Sequence, residues 1–176
     1  MNIGISGPTG AGKTTAAVHL ASTYGLSYLR YSEILADFLG KMAPDKQTLR
    51  KMGWDVMSEG LQLSLNQRLL TKMKKGINYV VDGLRHPLDL ETLSNHPPFY
   101  LLYIDASPHM RWQRLSYRDG SRTWEEFQAG DSHPIEGYLP ILKQKAYKVV
   151  RNEGTIAGLY ANLDGVFKEI QELGEQ

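Results

Sequence analysis

Short apolar runs alternate with amphipathic segments along the whole chain. An uninterrupted run of apolar and β-branched residues predicts a buried strand, whereas apolar side chains spaced three and four apart predict a helix. Strands are predicted at residues 2–6, 26–30, 79–81, 99–104 and 148–150. Because helical patterns separate these strands, the chain is predicted to be an α/β protein, with a five-stranded parallel sheet between helices on both faces.

The helices between the strands are predicted from the same spacing. A long helical stretch is predicted over 46–74, bent or divided at Gly53 and Gly60, and Ser32 is the predicted N-cap of a short helix ending at Gly40. The other helices are predicted from about residue 13, at 107–118, 123–128 and 139–146, and from 156 to the end of the apolar stripe at 170. Residues 131–137 are predicted to form a loop, and the chain breaks at Pro44.

Composition and charge exclude several classes of protein. The 176 residues favour one domain, and 20 Lys and Arg against 19 Asp and Glu leave a formal charge of +1. Such balance argues against a chain-wide nucleic-acid or membrane footprint, although a local nucleic-acid patch is possible. Since there is no cysteine, zinc fingers, iron–sulfur clusters and thiol nucleophiles are excluded. No membrane span or signal peptide is expected, and a cytoplasmic location is predicted.

A phosphate-binding loop follows the first predicted strand. Residues 7–14, Gly-Pro-Thr-Gly-Ala-Gly-Lys-Thr, fit the Walker A pattern G-x-x-x-x-G-K-[ST] between a strand and a helix. Glycines allow consecutive N–H groups to point at phosphate oxygens, and the helix N-terminus adds positive charge. Lys13 is expected to bridge the β- and γ-phosphates, and the Thr14 hydroxyl to bind Mg²⁺. The predicted ATP-binding residues here are Gly7, Thr9, Gly10, Ala11, Gly12, Lys13, Thr14 and Thr15.

The rest of the chain narrows the class of nucleotide-binding protein. A guanine-reading N-K-x-D motif is missing, and the third strand ends in Val-Val-Asp-Gly rather than the Asp-Glu pair of many ATPases. The chain is also short for a motor or an AAA+ module. A small phosphotransferase with a P-loop fold remains.

Four arginines follow the fourth strand. Arg111, Arg114, Arg118 and Arg122 are three, four and four residues apart, so a helix places them on one face. Without compensating acids they repel one another unless an anion lies among them, and a transferring phosphoryl group is such an anion. The first three are candidate catalytic residues, whereas Arg122 follows Asp119-Gly120, beyond the predicted helix. A solvated helix face is the alternative.

Candidate acceptor residues stand at two strand ends. Asp82 and Arg85 follow the third strand, where ligands bind in open α/β sheets. Asp82 is a candidate catalytic and Mg²⁺-binding residue, and Arg85 a candidate for an acceptor phosphate; the alternative is that Asp82 caps the next helix and pairs with Arg85. Arg30 and Glu33 flank the end of the second strand and are further acceptor-binding candidates, although Glu33 equally suits the first turn of a helix.

These residues resemble the nucleoside monophosphate kinase superfamily, including adenylate kinase-like, dephospho-coenzyme A kinase-like and phage deoxynucleotide kinase-like proteins. Beside the phosphate loop, the similar segments are Tyr31-Ser32-Glu33-Ile34-Leu35, Val81-Asp82-Gly83-Leu84-Arg85, Arg114-Leu115-x-x-Arg118-Asp119 and Asn152-Glu153-Gly154-Thr155. The resemblance implies one domain over 1–176, acceptor-binding helices over about 31–74, a short lid over about 111–131, and Asn152 and Gly154 near the donor adenine. Ala36 and Ala129-Gly130 depart from the family, since they stand where many members have arginines.

Three functions stay open at this point. The first is transfer of the γ-phosphoryl group of Mg-ATP to a nucleoside or deoxynucleoside monophosphate. The second is phosphorylation of a hydroxyl on dephospho-coenzyme A, a nucleoside or a hydroxymethylated base in DNA, with Glu33 or Asp82 as the base. The third is an ATP-binding regulatory domain without an acceptor. A monomer or a homodimer is expected.

Overall fold

The computed structural model describes residues 1–42, 45–120 and 122–174. The predicted break at Pro44 and one lid residue, Ser121, lie outside the described residues. The strands are β1 (Asn2–Ser6), β2 (Ser27–Arg30), β3 (Tyr79–Leu84), β4 (Phe99–Asp105) and β5 (Lys148–Arg151). The helices are α1 (Lys13–Tyr24), α2 (Tyr31–Phe38), α3 (Lys46–Ser58), α4 (Gln62–Lys72), α5 (Pro87–Ser94), α6 (Pro108–Asp119), α7 (Trp124–Asp131), α8 (Leu139–Gln144) and α9 (Ile156–Gly174), with a 3-10 turn at Pro134–Glu136.

All five strands form one parallel sheet in the order β2-β3-β1-β4-β5, which confirms the predicted α/β fold. β1 is the central strand, with β3 on one side and β4 on the other. The strand order therefore switches direction at β1, and in open α/β sheets such a switch opens a crevice at the carboxyl ends of the strands. The phosphate loop leaves β1 at this point.

Two apolar cores cover the faces of the sheet. On one face, Ile3 and Ile5 of β1 pack with Leu20 of α1 and Leu163 of α9. On the other, a second core joins β3 and β4 to the helices α2 to α5 and α8, with Leu69 and Leu142 fully buried. The sheet is thus the middle of three layers. No helix in the described part of the chain is both long and apolar enough to cross a membrane.

One helix boundary is predicted wrongly. α2 begins at Tyr31 with Arg30 as its N-cap, so Ser32 lies within the first turn rather than capping it. The buried Tyr31 side chain, whose hydroxyl donates to Asn66, holds the earlier start. The stretch 46–74 is two helices, divided as predicted at Gly60, which has a φ of 72°, whereas Gly53 lies within α3.

β3 is longer than predicted, because it continues through Asp82 and Gly83 to Leu84. The register with β1 shifts between Ile5 and Ser6, and the Ser6 hydroxyl donates to the Leu84 carbonyl oxygen at 2.7 Å. Helix α5 was not predicted, although Pro87 at its first position and Asp89 two residues later are start signals. The predicted loop 131–137 contains the end of α7 and the 3-10 turn.

Candidate phosphoryl-transfer site

The phosphate loop has a backbone that only glycine adopts readily at three of its positions, 7, 10 and 12. Gly7 has a φ of 140° and Gly12 a φ of 99°. A Cβ atom on Gly7 would collide with the Ile104 carbonyl oxygen of β4, and one on Gly12 would lie 2.5 Å from Asn152 Nδ2. Because that Asn152 amide also donates to the Ala11 carbonyl oxygen at 2.8 Å, the loop after β5 holds the phosphate loop in place. The phosphate loop after β1 is therefore held by a side chain from the loop after β5.

Lys13 is the first residue of α1, directly after the glycines of the loop. Its ammonium group donates to the Pro8 carbonyl oxygen at 2.9 Å, so the side chain folds back over the loop. Burial, reinforced by the positive charge of Arg85, lowers the pKa of Lys13 to about 7. A polyphosphate beside this nitrogen would add to the negative charges of Glu136 and Asp82, which already oppose the lowering of the pKa.

The structure brings Thr14, at the start of α1, together with Asp82 of β3. The Thr14 hydroxyl donates to Asp82 Oδ2 at 2.7 Å, and the Tyr28 hydroxyl donates to the same oxygen at 3.0 Å. Asp82 is buried, and Arg30 Nε lies 3.9 Å from it. A hydroxyl and a carboxylate oxygen are ligands that suit Mg²⁺ together with substrate phosphates, so these residues fit the ion. The alternative that Asp82 caps a helix is wrong, since His86 and Asp89 cap α5.

Arg85 is linked to the phosphate loop by Glu136, which the sequence analysis did not predict as a site residue. Its guanidinium pairs with Glu136 rather than with Asp82, and Nη2 lies 3.4 Å from Thr9 Oγ1. Glu136 Oε1 accepts a hydrogen bond from Thr9 Oγ1 at 3.0 Å. Although burial favours the protonated form, the charges of Arg85 and Lys13 lower the pKa of this carboxyl. Glu136 comes from the segment predicted as a loop, which carries no periodic signal.

A second arginine of this region is Arg50 on α3, which was likewise not predicted. It is half-buried, and burial lowers its pKa, while the charge of Glu136 raises it and that of Arg85 lowers it. Arg50 thus lies in the same electrostatic environment as Arg85. Glu33, in contrast, is exposed on the first turn of α2 and is in none of these contacts.

The α6 arginines bind carboxylates and backbone carbonyl oxygens. Arg111 is buried and makes a bidentate ion pair with Asp131, while its Nε donates to the Ala106 carbonyl oxygen at 3.1 Å. Its Nη1 also lies 3.3 Å from the Thr9 carbonyl oxygen, so it braces the loop from outside. The expectation that these arginines lack compensating acids is wrong for Arg111, because Asp131 at the end of α7 pairs with it.

Arg114 and Arg118 point in different directions along α6. Arg114 Nη2 donates to the Asn152 carbonyl oxygen at 2.8 Å, and its Nη1 is buried without a partner among the described residues. Arg118 is half-exposed and bidentate to Asp119, with both distances 2.7 Å, and Asp119 also accepts from Lys46 on α3. Acidic partners therefore neutralise Arg118 as well. Gly154 is exposed beside Asn152, and Thr15 is half-buried in α1.

Comparisons with known proteins agree with this architecture. A family model described as an AAA domain matches residues 3–132. A UPF0200 protein of Methanocaldococcus jannaschii is 26% identical over 177 residues, which cover 96% of this chain and 89% of that protein. The chain is short for an AAA+ module, but it nevertheless matches a family described as an AAA domain, so its length does not exclude that family.

Two solved structures share the fold over nearly the whole chain. A shikimate kinase from Acinetobacter baumannii in complex with shikimate has a TM-score of 0.61 at 20% identity, covering 97% of this chain and 93% of that one. A gluconokinase from Sinorhizobium meliloti has a TM-score of 0.62 at 14% identity, covering 98% and 96%. The chain has the α/β fold of P-loop kinases.

Proposed function

Because the chain belongs to the AAA domain family of P-loop nucleoside triphosphatases, we propose that it is an ATP-dependent phosphotransferase acting on a nucleoside or deoxynucleoside monophosphate. The observation that carries this proposal is the reach of Arg85 from the end of β3 to Thr9 in the phosphate loop. An arginine beside a triphosphate cradle, on its acceptor side, suits a second phosphate group. Arg50, which shares its environment, supports the same reading.

The donor side of the site holds and polarises the triphosphate. The loop amides and Lys13 would bind the β- and γ-phosphates, and Thr14 and Asp82 would hold the metal. Mg²⁺ supplies charge neutralisation when it is bound. Because Asn152 fixes the loop and Arg111 braces it, these groups are oriented before the nucleotide arrives, and positioning is the main protein contribution to phosphoryl transfer.

The acceptor side supplies the nucleophile. A phosphate oxygen of the monophosphate attacks the γ-phosphorus, and the bond from that phosphorus to the bridging oxygen breaks, so ADP leaves with the electron pair. Such an oxygen is already ionised near neutral pH, and no strong base is needed. Closure of the lid over 111–131 excludes water that would otherwise hydrolyse ATP.

A screen for transfer from radiolabelled ATP tests the proposal. Nucleoside and deoxynucleoside monophosphates, nucleosides, dephospho-coenzyme A and hydroxymethylated DNA are offered separately, and label is expected in a diphosphate product. Arg85→Met is expected to raise KM for that acceptor at least about tenfold. Saturable ATP binding without transfer to any acceptor contradicts the proposal and favours a regulatory domain.

A hydroxyl acceptor is the second candidate, and one observation favours it. Glu136 Oε2 is buried and has no hydrogen-bond partner among the described residues, so this carboxylate has a free oxygen close to the phosphate loop. A hydroxyl acceptor needs such a group to remove its proton. Two proteins that share the fold are named as a shikimate kinase and a gluconokinase. Label on a nucleoside, dephospho-coenzyme A or DNA would select this candidate.

A further inference from the structure

A carboxylate lies inside the group of cations that surrounds the phosphate loop. The Glu136 side chain is only 6% exposed, and its charge acts on Lys13, Arg85 and Arg50. Burying a carboxylate is costly unless cations surround it, so its place among these groups is specified by charge rather than by packing. The same cations are the groups expected to bind phosphate.

The contacts of Glu136 are those that a phosphate oxygen would make at this position. Oε1 accepts hydrogen bonds from both Arg85 Nη1 and Thr9 Oγ1, and Thr9 belongs to the phosphate loop itself. Oε2 is buried and has no partner in the described part of the chain. The carboxylate therefore occupies an anion position without satisfying both of its oxygens, which is costly for a buried charge.

The turn that carries Glu136 is small. It is a 3-10 turn of three residues between α7 and α8, and His133 at its N-cap accepts from the Ile135 amide at 3.2 Å. Such short turns have few hydrogen bonds to lose when a neighbouring charge appears. A phosphoryl group next to Thr9 and Glu136 would repel the carboxylate strongly at this separation and degree of burial.

We propose that Glu136 is an internal counter-anion, which occupies the phosphate position between Thr9 and Arg85 in the free protein and is displaced by the transferring phosphoryl group. The proposal rests on the proposed function, because it assumes that this position receives a phosphate. Displacing Glu136 frees Arg85 for the phosphates.

Binding of inorganic triphosphate with Mg²⁺ tests this role without a known acceptor. Glu136→Gln is expected to bind the probe at least about tenfold more tightly than the wild type at low ionic strength, because a competing charge is removed. Glu172→Gln makes the same chemical change on the exposed face of α9 and is expected to leave the affinity unchanged. Unchanged or weaker binding of the probe by Glu136→Gln overturns the proposal. If the affinity is unchanged and only transfer is lost, Glu136 is a base rather than a counter-anion.

A measurement on the wild type keeps the proposal testable should Glu136→Gln fold poorly. Hydrogen exchange of the amides at 133–138 is expected to become faster on binding Mg-triphosphate, because the turn loses its ion pair to Arg85. Unchanged or slower exchange in this segment overturns the displacement. The proposed function fails separately: a wild type that binds the probe but transfers phosphate to no acceptor leaves the displacement intact.

Discussion

Lys13 is the side chain whose proton binding responds most directly to a phosphate in the loop. Its pKa is lowered to about 7 by burial and by Arg85, so the empty site holds it mostly neutral above that pH. The negative charge of a polyphosphate raises the pKa again. We therefore expect nucleotide binding to take up close to one proton at about pH 8, and much less at about pH 6, where Lys13 is already protonated.

Calorimetry in buffers of different ionisation enthalpy measures this uptake directly. Lys13→Arg keeps the positive charge but does not titrate in this range, so its binding heat is expected not to depend on the buffer. Equal uptake in the variant and the wild type at the higher pH would assign the proton to another group.

Single residues differ in how far sequence reveals their role. Lys13 and Thr14 are predicted because the loop motif fixes their spacing, and Asp82 because parallel strands bring their carboxyl ends to one edge. Glu136 and Thr9, in contrast, are 127 residues apart, and neither motif nor periodicity joins them. The charge on Arg111 was predicted, but not its burial, because Asp131 lies on another helix.

The arginines of α6 differ in their surroundings, since Arg111 is buried and Arg118 faces solvent. Arg111, with its buried pair to Asp131, ties α7 to the phosphate loop, whereas Arg118 pairs with Asp119 at the exposed end. We expect Arg118→Ala to slow transfer by a factor of about 10² while changing ATP affinity only modestly, because the lost charge acts chiefly in the transition state. The stability should change by less than about 0.5 kcal/mol, as for other exposed pairs.

The matched control for this prediction is Lys148→Ala. Lys148 also forms an exposed ion pair, with Glu169 on α9, but it stands at the opposite end of β5 from the site. Steady-state kinetics and urea unfolding of both variants separate the two roles. If the turnover of Arg118→Ala equals that of Lys148→Ala, Arg118 has no role in phosphoryl transfer.

The elements themselves were predictable where periodicity is long, and less so where tertiary contacts decide. The β1 strand and the apolar face of α9 follow from pattern alone. The start of α2 depends on Tyr31 reaching Asn66, and the length of β3 on a register shift beside Ser6. The three-residue turn at Pro134–Glu136 is too short for any period to be visible.

At the scale of the whole molecule, the phosphate loop is coupled to both faces of the sheet. α1 packs with α9 on one face, and the Arg85–Glu136 pair links the loop to the turn before α8 on the other. β1 pairs with both β3 and β4, so hydrogen bonds join the two sides of the sheet through its central strand. That residues 1–176 form a single domain stays a prediction, and unfolding tests it.

We expect one cooperative unfolding transition in urea, with tryptophan fluorescence and far-ultraviolet circular dichroism giving the same midpoint. Because a ligand of the native state stabilises by mass action, a nonhydrolysable ATP analogue with Mg²⁺ at about 100 times its Kd should add about 2.7 kcal/mol to the free energy of unfolding. Lys13→Met, which lacks the central cation of the loop, should show the same single transition but little added stability at that concentration. Two separated midpoints would divide the chain into independent units, and only the transition containing α1 would then move with the nucleotide.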